Sequence, residues 1–260
     1  MSTEVVPDGG VMKKVLKIVL MVLAGAFLFG VIGFIVWGMT PLGPTDLALA
    51  AMESGGDVTV QDTGDFVVFT PITNQPITAL IIYPGGHIDY RSYAPIARQI
   101  ASRGYLVFIV RMPLSLPVFG VDKADDVIAA FPEIRYWVIG GHSLGGSMAA
   151  SYAGSHSDKV QGLFFWASYP SESEDLSVTD LKGLSTYGSS DMILDRGNVN
   201  STLVLLPPGT IMKVIEGGNH AQFGNYGPQP GDGVATISAE EQQAQATALT
   251  VRLLRAVEGE

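Results

Sequence analysis

The sequence contains no cysteine, which removes disulfides, thiolate metal sites and a cysteine nucleophile from consideration. Basic residues are scarce as well: 15 Lys and Arg stand against 25 Asp and Glu, a formal charge of −10, with no basic run beyond the first 20 residues. Nucleic-acid backbones are held by clustered Lys and Arg, so the expectation is no nucleic-acid partner. Charge of either sign is thin, at 15% of residues, whereas 47% are hydrophobic. A disordered chain has the opposite balance. The 260 residues suffice for one α/β domain of ordinary size or two small ones.

What the chain does have is one long apolar run. Ile18 to Met39 are 22 consecutive uncharged residues. As a helix they span roughly 33 Å at about 1.5 Å per residue, enough for a hydrocarbon core of about 30 Å. Lys13, Lys14 and Lys17 precede the run, Trp37 stands at its far end, and no base follows until Arg91. That asymmetry predicts a tail (1–17) in the cytoplasm, a transmembrane helix (18–39) and an extracytoplasmic remainder. The competing reading is a cleaved signal peptide, with Ala48-Leu49-Ala50 as the small-x-small site, although the apolar run is longer than usual and the cut would lie far from it.

Residues 40–56 read as a linker, bounded by Pro and Gly, with a turn or two of helix. In the remainder (57–260), strand-length apolar runs fall at 57–61, 66–69, 78–83, 105–110, 136–140, 162–166, 184–187 and 211–215. Helix-like stretches fall at 91–103, 121–131, 145–156, 195–203 and 239–257. The run at 105–110 is apolar on both faces, as in a parallel strand covered by helices on each side. Two short strands followed by βα repeats predict a doubly wound, mostly parallel sheet of about eight strands with an antiparallel start.

Gly141-His142-Ser143-Leu144-Gly145 matches G-x-S-x-G, flanked by a strand pattern (136–140) and the start of a helix (147–152). That context is the nucleophile elbow, a sharp strand-to-helix turn that exposes the serine hydroxyl. A serine hydroxyl is a poor nucleophile near neutral pH and requires a base oriented by a carboxylate. Of the four His, only His220 follows a later strand, in a loop at the carboxyl edge where α/β sites form. Asp191, in Gly188-Ser189-Ser190-Asp191, is the expected acid; Asp195 is its rival, and helix capping is the structural alternative for either. The order Ser143, Asp191, His220 is that of the α/β hydrolases. Oxyanion donors are expected at the Leu144 N–H and, from Tyr83-Pro84-Gly85-Gly86-His87, at Gly86 in preference to Gly85.

The set Tyr83-Pro84-Gly85-Gly86, Arg111-Met112-Pro113-Leu114, Gly141 to Gly146, Gly188 to Asp191 and Gly217 to Phe223 covers roughly 78–255. It resembles the α/β-hydrolase superfamily, in particular the membrane-anchored bacterial members of its dienelactone-hydrolase-like branch. The resemblance implies a Ser-Asp-His hydrolase on Ser143, Asp191 and His220 with no metal or organic cofactor. Dienelactone hydrolases proper carry Cys where this chain has Ser143, so their substrate does not transfer. Only 15 residues (168–182) stand where many members insert a cap, so an open site without a large cap domain is expected. Leu114, Phe119, Phe223 and Tyr226 are the expected substrate contacts. The function expected is hydrolysis of a carboxylic ester or lactone, a small-molecule partner. Acyl transfer or thioester cleavage by the same triad, or a catalytically silent anchored binding protein, are the alternatives.

Overall fold

The computed structural model describes residues 9–259, so residues 1–8 of the expected tail lie outside the described residues. The chain divides into Met1–Thr40 and Pro41–Glu260. In the first unit, helix α1 (Gly9–Gly38) runs unbroken for 30 residues. It begins before the expected span because Lys is a good helix former and nothing in the Lys13–Lys17 stretch stops a helix. Within Gly10–Gly38 the most apolar 18 residues have a mean hydropathy of 2.8 and are not buried, so the helix is long and apolar enough to cross a membrane. A membrane anchor and a signal sequence both fit that description.

The second unit is one eight-stranded sheet in the order β1-β2-β4-β3-β5-β6-β7-β8. Strands β1 (Val58–Asp62) and β2 (Phe66–Pro71) pair antiparallel, and β2 pairs antiparallel with β4 (Leu106–Val110). The rest are parallel: β3 (Thr78–Tyr83), β5 (Tyr136–His142), β6 (Gly162–Trp166), β7 (Lys182–Gly188) and β8 (Ile211–Ile215). The helices are α2 (Asp46–Ala50), α3 (Ala94–Ala101), α4 (Ala124–Ala130), α5 (Leu144–Ser155), α6 (Arg196–Ser201) and α7 (Ala239–Glu258). Each expected strand and helix is present within a few residues of its expected ends. No helix interrupts residues 167–181, where a cap would stand.

Strand side chains alternate between faces, and the core divides accordingly. On one face Leu80, Ile82, Val107, Ile109 and Trp166 pack with Ile96 and Ile100 of α3 and Leu253 and Leu254 of α7. On the other, Ala79, Ile81, Phe108, Ile139 and Phe165 pack with Val127 of α4 and Ala149 and Ala150 of α5. β3 and β4 are buried at every position, which is why their sequences are apolar without alternation.

β3 hands the chain to α3 on the first face, and its neighbour β5 hands it to α5 on the second. A crevice opens between the carboxyl ends of adjacent strands whose helices leave in opposite directions. The Gly85-Gly86 loop and Ser143 stand at that switch point.

The segment read as a linker is tied to the same edge. Leu42 forms a parallel bridge with Ile88; its N–H donates to the His87 carbonyl at 2.9 Å, and its carbonyl accepts the Asp89 N–H at 2.9 Å. The Thr45 N–H donates to the Asn225 carbonyl at 2.8 Å, and the Thr45 hydroxyl caps α2.

Candidate active site

β5 ends at His142 and α5 begins at Leu144, so Ser143 alone makes the turn, at φ 52 and ψ −127. A non-glycine residue with positive φ carries strain of about 1–3 kcal/mol and persists only where its surroundings impose it. Here the surroundings do. The Ser143 N–H donates to the Trp166 carbonyl (3.0 Å), and its carbonyl accepts from the Gly146 N–H (3.0 Å) and the Ser168 hydroxyl (2.6 Å). The turn is close enough to β3 that a Cβ on Gly141 or Gly145 would come within 2.2 Å of the Tyr83 carbonyl oxygen. These two glycines are therefore required by contact with backbone, as the motif's spacing implies.

His220 Nδ1–H donates to Asp191 Oδ2 at 2.9 Å, and both side chains are almost completely buried. The other carboxylate oxygen, Oδ1, accepts the N–H groups of Ile193 (2.9 Å) and Leu194 (2.8 Å), which fixes the acid's orientation. Asp195 has the capping role instead: its Oδ1 accepts from Gly197 N and Asn198 N at the start of α6. With Nδ1 donating, His220 Nε2 is free to accept a proton, and it has no hydrogen-bond partner among the described residues. It is not bonded to Ser143 Oγ, but His220 and Ser143 line the same cleft of about 260 Å3.

The histidine loop is held from two directions. Asp232 gathers the N–H groups of Ala221 (2.9 Å), Gly233 (2.8 Å), His220 (3.3 Å) and, from the acid loop, Met192 (3.4 Å). Gln242 and Gln243 of α7, both buried, bond to Asn219 and to Gln222 and Asn225.

Gly86 lies against Leu144, since a Cβ at Gly86 would meet Leu144 Cδ2 at 3.0 Å. The two residues expected to supply oxyanion donors are therefore neighbours, and neither N–H has a partner among the described residues. The Gly85 N–H is already committed, donating to the Tyr93 hydroxyl at 2.9 Å. Tyr93 Oη in turn lies 2.8 Å from His142 Nδ1. Burial, and next the neighbouring His220 ring, hold the pKa of His142 well below its ordinary 6.5, against an upward pull from the His220 backbone. His142 is neutral.

None of the four expected substrate contacts lines this cleft, which is bounded by Leu144, Ser147, Tyr169, Ile193, Leu194 and Asp195 besides the residues above. Phe223 is fully buried, stacked 5.8 Å from His142 and 6.3 Å from Trp166. Tyr226 is buried beside it and donates to Gln229 Oε1 at 2.9 Å. Both follow His220 closely, and the short turn at Ala221–Phe223 directs the chain inward beneath the histidine rings. Leu114 is half-buried at φ 51, and Phe119 is exposed. Sequence reasoning missed Tyr93, Ser168 and Asp232, and it set His142 aside as a base without finding its partner. Among the described residues no group of three or more His, Asp or Glu is placed to hold a metal ion.

A mostly parallel sheet with a G-x-S-x-G strand-to-helix turn at the switch point, followed in order by Asp191 and His220 joined by a hydrogen bond, is the arrangement of an α/β hydrolase. The pattern of the alpha/beta hydrolase family matches residues 79–244, well over half of the chain, and the chain belongs to that family. A predicted CIB-like hydrolase from Thermoplasma acidophilum is 17% identical, covering 74% of this chain and 98% of its own, with a TM-score of 0.54. TT1662 from Thermus thermophilus is 14% identical, covering 76% and 98%, with a TM-score of 0.55. At these identities the likeness is one of fold. No curated protein matches. Family membership supports a hydrolase function.

Proposed function

We propose that this chain is a serine hydrolase that cleaves a carboxylic ester or lactone through Ser143, His220 and Asp191. The observation that carries the reading is the buried His220–Asp191 hydrogen bond of 2.9 Å, which leaves Nε2 unpartnered in the cleft that Ser143 lines. Catalytic hydrogen bonds are commonly long before substrate binds and tighten in the Michaelis complex.

In the first half-reaction the Ser143 hydroxyl proton passes to His220 Nε2 as Oγ bonds to the substrate carbonyl carbon. The carbonyl electrons move to oxygen, and the Gly86 and Leu144 N–H groups stabilise that oxyanion. Asp191 stays ionised and stabilises the imidazolium. Collapse breaks the bond to the alcohol oxygen, which takes the proton from Nε2 and leaves an acyl-Ser143. Water then repeats the sequence: its proton goes to Nε2, its oxygen attacks the acyl carbon, and Ser143 regains a proton as the acid departs. The cleft of about 260 Å3 falls below the usual 300–1,000 Å3 of ligand pockets, which favours a compact group beside the serine.

The same proposal makes α1 a single-pass anchor with the domain outside the cytoplasm, on the strength of its Lys-flanked start and Trp37. Cleavage after Ala50 would remove Leu42 and Thr45, which hold His87 and Asn225, and that favours an uncleaved anchor. Digestion of the domain by protease added to intact cells tests the orientation; complete protection contradicts it.

Hydrolysis of acyl esters graded by chain length, with lactones included, tests the activity. The expected result is turnover of short-chain esters by the wild type and none by Ser143→Ala. Folded wild type inactive on the whole panel, with or without an alternative acyl acceptor, contradicts it.

A further inference from the structure

Beneath the proposed triad lies a second imidazole that its chemistry does not use. His142 is completely buried, and its ring centroid is 4.5 Å from that of His220, with the planes at 51°. The protons in this contact are determined by elimination. The Gly85 N–H donates to Tyr93 Oη, and among the described residues the acceptor within reach of the tyrosine's own proton is His142 Nδ1, 2.8 Å away. Nδ1 is therefore an acceptor and the proton of His142 sits on Nε2, an atom with no hydrogen-bond partner among the described residues. The run Gly85 N–H to Tyr93 O–H to His142 Nδ1 is neutral throughout, desolvated, and points in one direction.

Its two ends are what give it significance. One is the Pro84–Gly85 peptide, directly before Gly86, a residue that lies against Leu144 and whose N–H has no partner among the described residues. The other is the ring against which His220 packs. Space at the first end is tight as well: a Cβ on Gly85 would stand 3.0 Å from His142 Nδ1, 3.1 Å from Tyr93 Oη and 2.7 Å from Ile88 Cδ1. The loop backbone therefore packs directly against both side chains.

We propose that Tyr93 and His142 are positioning residues, a buried neutral relay that holds the Gly85-Gly86 peptide in register with the oxyanion and supports the ring of His220. The proposal rests on the serine-hydrolase reading above. Neither side chain touches substrate. An oxyanion donor acts only as charge develops, so loosening it lowers kcat and leaves ground-state binding alone. Removing one such donor outright costs about 10²–10³-fold in kcat, so removing its support should cost part of that.

Tyr93→Phe keeps the buried ring and deletes the hydroxyl. On an ester that the wild type turns over, the expected result is a kcat lower by about 10- to 100-fold, a KM within about twofold, and a parallel loss of affinity for a boronic acid transition-state analogue. Unchanged kcat in a folded Tyr93→Phe overturns the proposal, as does a KM that rises while kcat holds. Because Tyr93 is fully buried, a second pair of variants guards against a folding failure. His142→Leu removes the acceptor and should reproduce the kcat loss, while His142→Asn sets an amide oxygen near the place of Nδ1 and should recover most of it. Equal kcat in the two histidine variants overturns the relay. A folded wild type with no ester hydrolysis removes the serine-hydrolase reading itself, a result distinct from all of these.

Discussion

The two rims of the sheet are built differently, although the same strands run between them. At the amino rim, turns that need positive φ use glycine: Gly56 before β1, Gly104 before β4 and Gly209 before β8. At the carboxyl rim glycine does so only in part, at Gly64 between β1 and β2 and at Gly217 after β8, and residues with a Cβ do the rest. His87, Leu114, Ser115, Ser143 and Ala167 all have φ between 47 and 57, and they follow β3, β4, β5 and β6 in turn. Unpartnered buried polar atoms lie at that rim too, among them the Nε2 atoms of His142 and His220. Strain and unsatisfied polarity are both costly, and this molecule concentrates them where chemistry is proposed. The two core layers and α7 supply the stability that lets the rim persist.

Substitutions can break this contrast, and Ser143→Gly should do so most visibly. It removes the proposed nucleophile and relieves the positive φ together. Ester turnover should fall by about 10⁵-fold or more while stability rises by about 1 kcal/mol, read as a higher Tm. A lower Tm would mean that the elbow is not strained. Next in size, Asp191→Asn should lower kcat by about 10⁴-fold, because an amide no longer fixes the His220 tautomer. Asp195→Asn should change kcat by less than about tenfold and leave Tm unchanged, since Asn caps a helix as well as Asp. Equal activity of the two variants would remove the acid assignment.

A third test compares the rims directly. Gly145→Ala forces a Cβ to 2.2 Å from two backbone carbonyl oxygens, whereas Gly209, at φ 76, has nothing within 4 Å. The first should destabilise the fold by more than about 3 kcal/mol, and the second by about 1 kcal/mol, in denaturant melts. Comparable losses would deny that contact with β3 is what demands glycine at the elbow.

The smallest effect is in the pH dependence. His142 is held neutral in the fold, its pKa well below 6.5, while in the unfolded chain it titrates near that ordinary value. Below about pH 6.5 the unfolded state therefore binds a proton that the folded state refuses, so stability falls as pH falls. This one group contributes a slope of up to about 1.4 kcal/mol per pH unit. His142→Asn should flatten the acid side of the stability curve relative to wild type; a curve of the same slope would place the ring in a less buried setting.

How much of this was legible beforehand follows from how far each feature reaches along the chain. The elbow is local, since strand, Gly141, Ser143, Gly145 and helix lie within a dozen residues, so spacing alone exposes it. β3, β4 and β6 were visible because parallel strands buried on both faces leave unbroken apolar runs. Asp191 could be chosen over Asp195 by its place directly after β7, and the capping bonds of Asp195 account for the second carboxylate. Tyr93 and His142 are 49 residues apart and meet only when β3 and β5 lie side by side, so no window of sequence contains the pair. Asp232 sits in a Gly- and Pro-rich loop where Asp ordinarily means a turn, and its carboxylate shows its use only once the acid and histidine loops converge. Phe223 and Tyr226 are buried away from the cleft for the same reason: an aromatic close in sequence to the proposed base can as easily pack beneath it as beside a substrate.

The most direct measurement is covalent capture of the proposed nucleophile. A fluorophosphonate probe added to the full-length protein, followed by digestion and peptide mass spectrometry, should modify Ser143 alone, with labelling lost in a folded His220→Gln. Modification of some other residue, or a folded wild type that the probe leaves unmodified, would contradict the account.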